Sequence, residues 1–413
     1  MLMVECILDK TLLVLGAGYD QIPGIVKAKE MGIYTIALDG NNNAIGQEYS
    51  NEFYTVSIKH FEEIKEFINK KLKRKIDGVI AFGVDIPLII AQTADLLNIN
   101  NTIPFESARL SEDKFYAKEF MKQHHIAIPK YQIVNNIEDI KEFMKNNNFP
   151  IVIKPVDNSA SRGISFIDSF NQLEEYYNYA LKFSKQKKVQ VEKYLKGPQV
   201  STESFVINGK VYNIGFADRN YTNMDKFLPN IIENGGDLPS IHILSKHKKQ
   251  LKLYLEIIAK ELNIQNGIIK GDIVIYDDKL FIIEFALRLS GGGFSTIHIP
   301  ENTGIDFLKI AIKLHLGIDI SSDELHQSQN NILSVRYKFI EDENFGIIKK
   351  INLPKNKDNI ILSNFHVQAG EEVSNKTTDH AKRLGFTIAN GNSREDAITN
   401  AQSFLDNVDI IFE

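Results

Sequence analysis

The chain has 413 residues, of which 43% are apolar and 24% are charged, and its formal net charge is −5. This length exceeds one typical hydrophobic core and predicts two or three domains. The composition is that of an ordinary globular protein, and the slight acidity excludes an overall basic field that would attract nucleic acid or anionic lipid. The basic runs at 70–75 and 246–249 are interpreted as solvated helix faces.

Cysteine content and apolar stretches indicate the compartment. Cys6 is the only cysteine, which excludes an internal disulfide and a cysteine-based zinc site. The N-terminal stretch 1–15 is apolar but is interrupted by Glu5, Asp9 and Lys10, so it does not predict a signal peptide. The sequence has no uncharged apolar stretch of about 18 residues, so it predicts no membrane span. These features together predict a cytoplasmic protein.

The first part of the chain alternates strands and helices. Strands are predicted at 11–15, 34–38 and 79–82, and helices at 22–31 and 86–97. This alternation is typical of a doubly wound parallel sheet, which we predict over 1–106.

A glycine turn, Gly16-Ala17-Gly18, follows the first strand, and Asp39 ends the second. The pattern matches the dinucleotide-binding fingerprint only in part, because Gln21 stands where the third glycine belongs. We interpret it as a turn at the carboxyl edge of the sheet, where it can contact a substrate, and a nicotinamide site is the alternative.

From residue 107 the pattern changes, and strands pair with nearby strands. Ser111 is predicted to cap a helix that begins Glu112-Asp113-Lys114. The remaining predicted elements are strands at 150–155, 164–167 and 189–195, an antiparallel hairpin at 268–276 and 280–285, and a helix at 393–406 in a mixed last segment. We predict domain boundaries near residues 106 and 328.

Residues suited to a metal–phosphate group occur in one order along the chain: Lys114, Lys154, the Ser/Gly loop 159–163, Glu192, Asp272, Glu284 and Arg288. Lysines neutralise phosphate oxygens, and a small-residue loop presents backbone N–H groups to phosphate and can close as a lid. Carboxylates on the two strands of a hairpin can sit face to face and bridge Mg²⁺.

The strand that begins at Phe281 carries the densest part of this pattern. Glu284, Ala286 and Arg288 alternate along it and point to the same face, and Gly291-Gly292-Gly293 follows. A structural salt bridge between Glu284 and Arg288 is the plainer explanation of these two charges in isolation. The chain contains no Walker A motif, which disfavours a P-loop nucleotide site.

At these residues the chain resembles the ATP-grasp superfamily, and within it the branch that holds the L-amino-acid ligases, biotin carboxylase and the carbamoyl phosphate synthetase large subunit. The resemblance implies a fold of α/β and α+β class. Its parts are an N-terminal doubly wound parallel-sheet domain at 1–106, an ATP-grasp domain at 107–328 with a lid subdomain at about 140–200, and a small C-terminal α+β domain at 329–413. ATP and Mg²⁺ (or Mn²⁺) are the implied cofactors.

The resemblance also implies roles for individual residues. The implied nucleotide site comprises Lys114, Lys154, Ser159, Ser161, Gly163, Glu192, Lys193, Leu195, Gln199, Glu203 and Ile283. Main-chain groups of Lys193 and Leu195 meet the adenine, and Gln199 or Glu203 lies near the ribose. Asp272 and Glu284 are the implied metal ligands, and Arg288 and Lys154 are the implied catalytic residues. Arg288 orients the acyl phosphate or the substrate carboxylate, and Lys154 offsets charge on the phosphates.

The chain departs from the family pattern at the metal. The family often has Glu-x-Asn, and here Ala286 replaces the asparagine. It often has His-x-Glu on the preceding strand, and here Lys270 and Asp272 stand in those places. One metal ligand is therefore lost or is replaced by water, and Lys270 can bear on the substrate.

The implied function is an ATP-dependent carboxylate–amine (or carboxylate–thiol) ligase that forms an amide through an acyl phosphate and releases ADP and phosphate. One alternative is a carboxylase that activates bicarbonate as carboxyphosphate, and a second is a non-catalytic ATP-binding module. Small-molecule carboxylates and amines are the expected partners, with no nucleic acid and no membrane, and a homodimer is compatible with the resemblance. The stretch 218–240 and His298 are candidates for the substrate side, whereas His124 and His125 are predicted on the surface.

Overall fold

The protein is represented by a computed structural model that describes residues 9–100, 102–340, 345–355, 357–373 and 376–413. Cys6 and the rest of the N-terminal stretch before residue 9 lie outside the described residues. The described part of the chain contains no helix that is long and apolar enough to cross a membrane.

The N-terminal part folds as a parallel sheet flanked by helices. Its elements are β1 Thr11–Leu15, α1 Ile22–Glu30, β2 Tyr34–Asp39, β3 Glu52–Thr55, α2 Phe61–Lys70, β4 Gly78–Ile80 and α3 Pro87–Leu97. The four strands pair in parallel in the order β3-β2-β1-β4. Since β1 is buried along its whole length, it requires the continuous apolar run that the sequence supplies. The predicted parallel sheet is confirmed.

A four-stranded antiparallel sheet, here called the lid sheet, follows two helices. The elements of this region are α4 Phe105–Glu112, α5 Lys114–Gln123, β5 Tyr131–Val134, α6 Ile137–Lys145, β6 Ile151–Pro155, β7 Ser165–Ile167, α7 Leu173–Phe183 and β8 Val189–Lys193. The strands of the lid sheet are in the order β5-β8-β6-β7. Its core is made by α6 and α7, which pack apolar residues on one face of the sheet.

Asp113 separates two helices where one start was predicted. Its carboxylate accepts hydrogen bonds from the N–H groups of Phe115 and Tyr116, so it caps α5. Ser111 lies within α4, and its hydroxyl donates to the carbonyl of Ala108. The prediction that Ser111 is the cap was therefore wrong, because the preceding helix ends only one residue before α5 begins.

The middle of the chain forms the larger sheet. Its elements are β9 Gln199–Ile207, β10 Lys210–Asn220, α8 Met224–Phe227, β11 Gly235–Leu238, α9 Ser245–Glu261, β12 Gly267–Tyr276, β13 Lys279–Ala286, α10 Ile299–Thr303 and α11 Phe307–His315. The hairpin predicted at 268–276 and 280–285 is confirmed as β12 and β13, which pair antiparallel.

The C-terminal segment extends that sheet. Its elements are β14 Ile332–Lys338, β15 Gly346–Asn352, β16 Ile360–Phe365, β17 Glu372–Val373, β18 Gly385–Gly391, α12 Arg394–Asp406 and β19 Asp409–Phe412. The eight strands of this central sheet are in the order β13-β12-β9-β10-β11-β14-β18-β16, and β17-β15-β19 form a separate sheet. Pairing of β11 with β14 joins residues on both sides of the predicted boundary at 328, and that boundary stays a prediction.

The N-terminal sheet and the central sheet share one apolar core. Leu13 and Ile36 belong to the same buried cluster as Ile269 and Ile282. Because this shared packing fixes the two sheets against each other, the carboxyl edge of the N-terminal sheet faces the strand ends of the central sheet.

His315 gives the stability of this packing a dependence on pH. It is buried at the end of α11, and its Nδ1 donates to the carbonyl of Val79 in β4 at 2.6 Å. Burial lowers the pKa of His315 from 6.5 to about 4. Between these two pH values the unfolded chain binds more protons than the folded chain, so the free energy of unfolding decreases as the pH falls through this window.

We expect His315→Gln to flatten this dependence, because glutamine keeps a donor for Val79 and does not titrate. The wild-type protein should lose up to about 3 kcal/mol between pH 6.5 and 4 that the variant retains. Urea denaturation over this pH range measures the difference. The control is His60→Gln at an exposed position, and a His315→Gln profile parallel to the wild-type profile would contradict the assignment.

Candidate active site

A cavity of about 790 Å³ opens where the lid sheet, the central sheet, the carboxyl edge of the N-terminal sheet and the C-terminal segment meet. Most of the residues predicted for the site line it: Lys114, Lys154, Ser159, Ser161, Glu192, Lys193, Leu195, Gln199, Asp272, Ile283, Glu284 and Arg288. Side chains that are far apart in the sequence therefore converge on one concave space, which is the geometry of a small-molecule site.

Two of the predicted nucleotide residues do not line the cavity. Glu203 is fully buried on β9, and its carboxylate accepts hydrogen bonds from the N–H and hydroxyl of Ser290. It supports the start of the glycine loop, and its place near the ribose stays a prediction. Gly163 has φ +76°, and a Cβ at this position would lie 2.7 Å from Phe183, so its role is in the backbone turn.

A buried carboxylate between two lysines forms one wall of the cavity. Glu192 Oε1 lies 2.5 Å from Lys154 Nζ and 3.2 Å from Lys118 Nζ, and all three side chains are at most 5% exposed. Burial opposes ionisation of Glu192, but the two lysines outweigh it and hold the pKa of Glu192 below its usual value. Burial lowers the pKa of Lys118 to about 8. This cluster has more positive than negative charge.

A second lysine–carboxylate contact joins α5 to β13. Lys114 is the first residue of α5, and its Nζ lies 3.0 Å from Glu284 Oε2. Burial raises the pKa of Glu284, but Lys114, Lys270 and Lys154 together hold it well below the usual value. Glu284 is therefore a carboxylate at neutral pH, as a metal ligand must be.

The paired register of the hairpin sets Asp272 opposite Glu284. Asp272 Oδ1 accepts a hydrogen bond from Ser201 at 3.0 Å, and its Oδ2 contacts Lys270 and lies 3.5 Å from Arg219 Nη1. The described residues contain no cluster of three or more His, Cys, Asp or Glu side chains that could hold a metal ion alone. Mg²⁺ needs no such cluster when nucleotide phosphates complete its shell, so this carboxylate pair fits a nucleotide-bound ion.

Arg288 is held by a residue that the sequence analysis missed. Its Nε donates to Asp85 Oδ1 at 2.8 Å, and Asp85 follows β4 at the carboxyl edge of the N-terminal sheet. Burial raises the pKa of Asp85, but Arg288 and Lys114 outweigh it and the pKa lies below its usual value. This ion pair fixes Arg288 toward the cavity and ties the N-terminal sheet to the end of β13.

The strand end predicted to meet adenine lies at the lid side of the cavity. The N–H of Lys193 donates to the carbonyl of Lys130 at 2.8 Å. The main-chain group of Lys193 that would contact a base is therefore its carbonyl. Leu195, Val152 and Ile283 line the same region. These apolar side chains suit the faces of an aromatic base.

The loop after β6 contacts the C-terminal segment. His380 N–H donates to the carbonyl of Ala160, and His380 Nε2 lies 3.3 Å from Ser161 Oγ and accepts from the N–H of Glu233. Burial, with Arg383 and Arg219 nearby, holds the pKa of His380 well below its usual value, so it is a neutral acceptor. No local sequence signal could have found it, since 219 residues separate it from Ser161.

Another part of the cavity wall carries two arginines around one carboxylate. Arg219 Nη2 lies 3.1 Å from Glu233 Oε2, and Arg383 Nη2 lies 3.6 Å from the same oxygen and donates to the Glu233 carbonyl at 2.7 Å. Arg383 also stacks on Tyr337 at 3.7 Å. Arg219 and Glu233 lie in the stretch 218–240 that the sequence placed on the substrate side.

His298 and the residues that follow the glycine turn, Tyr19–Gln21, also belong to the wall of the cavity. His298 lines the cavity, is 4% exposed, and has a pKa lowered to about 3 by burial, so it is neutral. In the turn, the N–H of Ala17 donates to Asp39 and the N–H of Gly18 donates to Gln21. These side chains stabilise the turn itself, which favours the glycine-turn interpretation over a nicotinamide site.

Lys118 is the missed residue that the sequence could have indicated. It follows Lys114 by one helical turn of α5, and residues four apart share a helix face. Asp85 had a weaker signal, an acidic residue just after a strand of a parallel sheet.

We expect Glu192→Gln to destabilise the protein strongly, because it leaves two buried lysines without their counter-charge. The free energy of unfolding should fall by about 3–5 kcal/mol at neutral pH, as measured by urea denaturation. The matched control is Glu142→Gln, which removes the exposed pair with Lys145 and should cost no more than about 1 kcal/mol. Equal effects of the two changes would contradict the role of Glu192.

Comparison with known proteins agrees with this geometry. The sequence matches the family described as "Phosphoribosylglycinamide synthetase, ATP-grasp (A) domain" over residues 112–292. The carbamoyl phosphate synthase large chain of Thermotoga petrophila is 24% identical over 310 residues, which are 72% of this chain and 27% of that protein. The chain thus spans little more than a quarter of the length of this relative.

Solved structures share the fold over nearly the whole chain. The L-amino acid ligase of Bacillus licheniformis superposes with a TM-score of 0.80 at 17% identity, over 98% of this chain and 99% of that one. The biotin carboxylase domain of the Hydrogenobacter thermophilus 2-oxoglutarate carboxylase, crystallised with MgADP and bicarbonate, superposes with a TM-score of 0.75 at 18% identity, over 97% and 90%. ATP and Mg²⁺ are the expected cofactors of such a domain. Residues 112–292 therefore match an ATP-grasp domain, and the chain has the fold of these ATP-grasp structures.

Proposed function

We propose that the protein is an ATP-dependent carboxylate–amine ligase that forms an amide through an acyl phosphate and releases ADP and phosphate. The family match and the shared fold support an ATP-dependent ligase in general. The observation that carries the finer proposal is that Lys114 on α5, Lys154 on β6, Glu284 on β13 and Arg288 just after β13 line one cavity. Formation of the acyl phosphate requires a cationic region for the phosphates. Attack by the amine requires a separate, fixed guanidinium.

The nucleotide would bind at the lid side. Lys154 and Lys114 would neutralise phosphate oxygens, and the loop with Ser159 and Ser161 would cover them. Glu284 and Asp272 would hold Mg²⁺, which when bound supplies charge neutralisation and bridges phosphate oxygens. The carboxylates now contact lysines, and Mg²⁺ would replace the lysines as their partner while the lysines turn to the phosphates.

The acid would bind near Arg288. A carboxylate oxygen attacks the γ-phosphorus, the bond from phosphorus to the ADP oxygen breaks, and an acyl phosphate forms. The amine nitrogen then attacks the acyl carbon, the carbon–oxygen bond to phosphate breaks, and the nitrogen loses a proton. Arg288, fixed by Asp85, would stabilise the negative charge on the tetrahedral intermediate, and closure of the loop would exclude water.

Bicarbonate activation is the second candidate. The observation that favours it is the likeness to a biotin carboxylase domain whose crystals contain bicarbonate. That domain is described as a dimer, and a homodimer is our expectation for this chain. A cytoplasmic location stays a prediction from the sequence.

The reaction itself is tested by ADP and phosphate release with a panel of amino acids, hydroxy acids and sugar acids, each with and without a panel of amines. We expect turnover that requires both an organic acid and an amine, with an amide product detected by mass spectrometry. Turnover with bicarbonate alone would support the carboxylase, and nucleotide binding without turnover across the panel would contradict the ligase.

The variant Arg288→Ala tests whether Arg288 acts on the acyl intermediate or on the nucleotide. We expect kcat to fall by about 10²-fold or more, because a fixed donor to the developing anion is lost, while nucleotide affinity is unchanged. Calorimetric titration with ADP measures the affinity, and phosphate release measures kcat. The matched control is Arg109→Ala on the exposed face of α4, and loss of nucleotide binding in Arg288→Ala would assign Arg288 to the nucleotide instead.

A further inference from the structure

Lys270 stands at the centre of the proposed metal site. It lies on β12 two residues before Asp272, so both side chains project from the same face of the strand. The register pairs Lys270 with Ala286 and Asp272 with Glu284 across the hairpin. Lys270, Asp272 and Glu284 all line the cavity.

The Lys270 ammonium occupies the space between the two carboxylates. It contacts Asp272 Oδ2 directly and lies 3.8 Å from Glu284 Oε1. Its side chain is 13% exposed, and that of Asp272 is 7% exposed. A cation that bridges two facing carboxylates in a shielded site is the arrangement that a divalent metal ion would otherwise adopt.

Ala286 explains why the lysine can reach this position. Cross-strand partners lie about 4.5–5.5 Å apart at Cβ, and Ala286 presents only a methyl group opposite Lys270. The lysine stem can therefore lie over Ala286 toward the carboxylates. The same alanine provides no oxygen ligand, so this face of the hairpin has an internal cation and no ligand at position 286.

The other charges leave little room for two metal ions. Asp272 Oδ1 already accepts from Ser201, and Oδ2 faces Lys270 and, at 3.5 Å, Arg219. Glu284 is more open, with a side chain 32% exposed; its Oε2 lies 3.0 Å from Lys114 and its Oε1 lies 3.8 Å from Lys270. Glu284 is thus the carboxylate that is free to exchange a lysine contact for a metal.

We propose that the Lys270 ammonium takes the place of one of two divalent cations at this carboxylate pair, so that the nucleotide binds with a single metal ion for which Glu284 is the main ligand and Asp272 the second. The inference rests on the proposed function, because it concerns the metal that accompanies ATP. A lysine supplies a positive charge and hydrogen-bond donors for phosphate oxygens, and unlike Mg²⁺ it needs no shell of six oxygen ligands.

The test counts metal ions and does not depend on turnover. The full chain is titrated with Mn²⁺ in the presence of the imido analogue of ATP, and bound Mn²⁺ is measured by electron paramagnetic resonance. We expect one Mn²⁺ for each bound nucleotide in the wild-type protein. Two Mn²⁺ for each nucleotide would overturn this inference alone, whereas no binding of the analogue would reject the proposed function as well.

A double variant tests whether Lys270 is the cause. Lys270→Met with Ala286→Asn removes the ammonium and supplies an oxygen ligand, so we expect it to bind two Mn²⁺ with the analogue. Lys279→Met, an exposed lysine on the same hairpin, is the matched control and should bind one. One Mn²⁺ in a folded double variant would overturn the proposal. If the double variant does not fold, the single variant Lys270→Gln is titrated and compared with the wild-type count. Two Mn²⁺ in Lys270→Gln would support the proposal, and one would overturn it.

Discussion

The register between β12 and β13 is the constraint on which the site depends. It sets Asp272 opposite Glu284 and Lys270 opposite Ala286, and it delivers Arg288 at the end of β13. Side chains on a strand alternate between faces, so a slip of one residue would turn these charges toward the opposite side of the sheet. The hairpin is held in this register on one side by pairing with β9, and Glu203 of that strand supports the loop that follows Arg288.

Charge balance is the second property that unifies the cavity. Four of the lysines and arginines that line it are each paired with a carboxylate: Lys154 with Glu192, Lys114 with Glu284, Arg288 with Asp85 and Arg219 with Glu233. Buried charges need such partners, since an unpaired charge in a poorly solvated site is costly. An anionic ligand can replace a carboxylate as the partner, so the pairs preserve the cations in the positions where phosphate and substrate carboxylate would need them.

Some parts of the structure could be predicted from the sequence and others could not, and the physical reasons differ. The parallel sheet and the hairpin were predicted correctly because hydrophobic periodicity and turn residues are local. Lys118 could have been predicted, because it follows Lys114 by one helical turn. The cap at Asp113 was missed because two helices meet there, and the contact of Glu203 with Ser290 was missed because 87 residues separate them. His380 contacts the loop after β6 because the C-terminal segment returns to that loop, and no local sequence pattern predicts this contact.

The sequence by itself determined the chemical types and their order: two lysines, a small-residue loop, a hairpin with two carboxylates and an arginine, and the substitution of alanine at position 286. These follow from residue identity and from strand periodicity, which are properties of short segments. The tertiary structure alone decided which cation each carboxylate faces, how the C-terminal strands complete the sheet, and that Lys270 fills the space beside Ala286. Those outcomes depend on long-range pairing, because a side chain's charge partner is set by the elements that pack against its own.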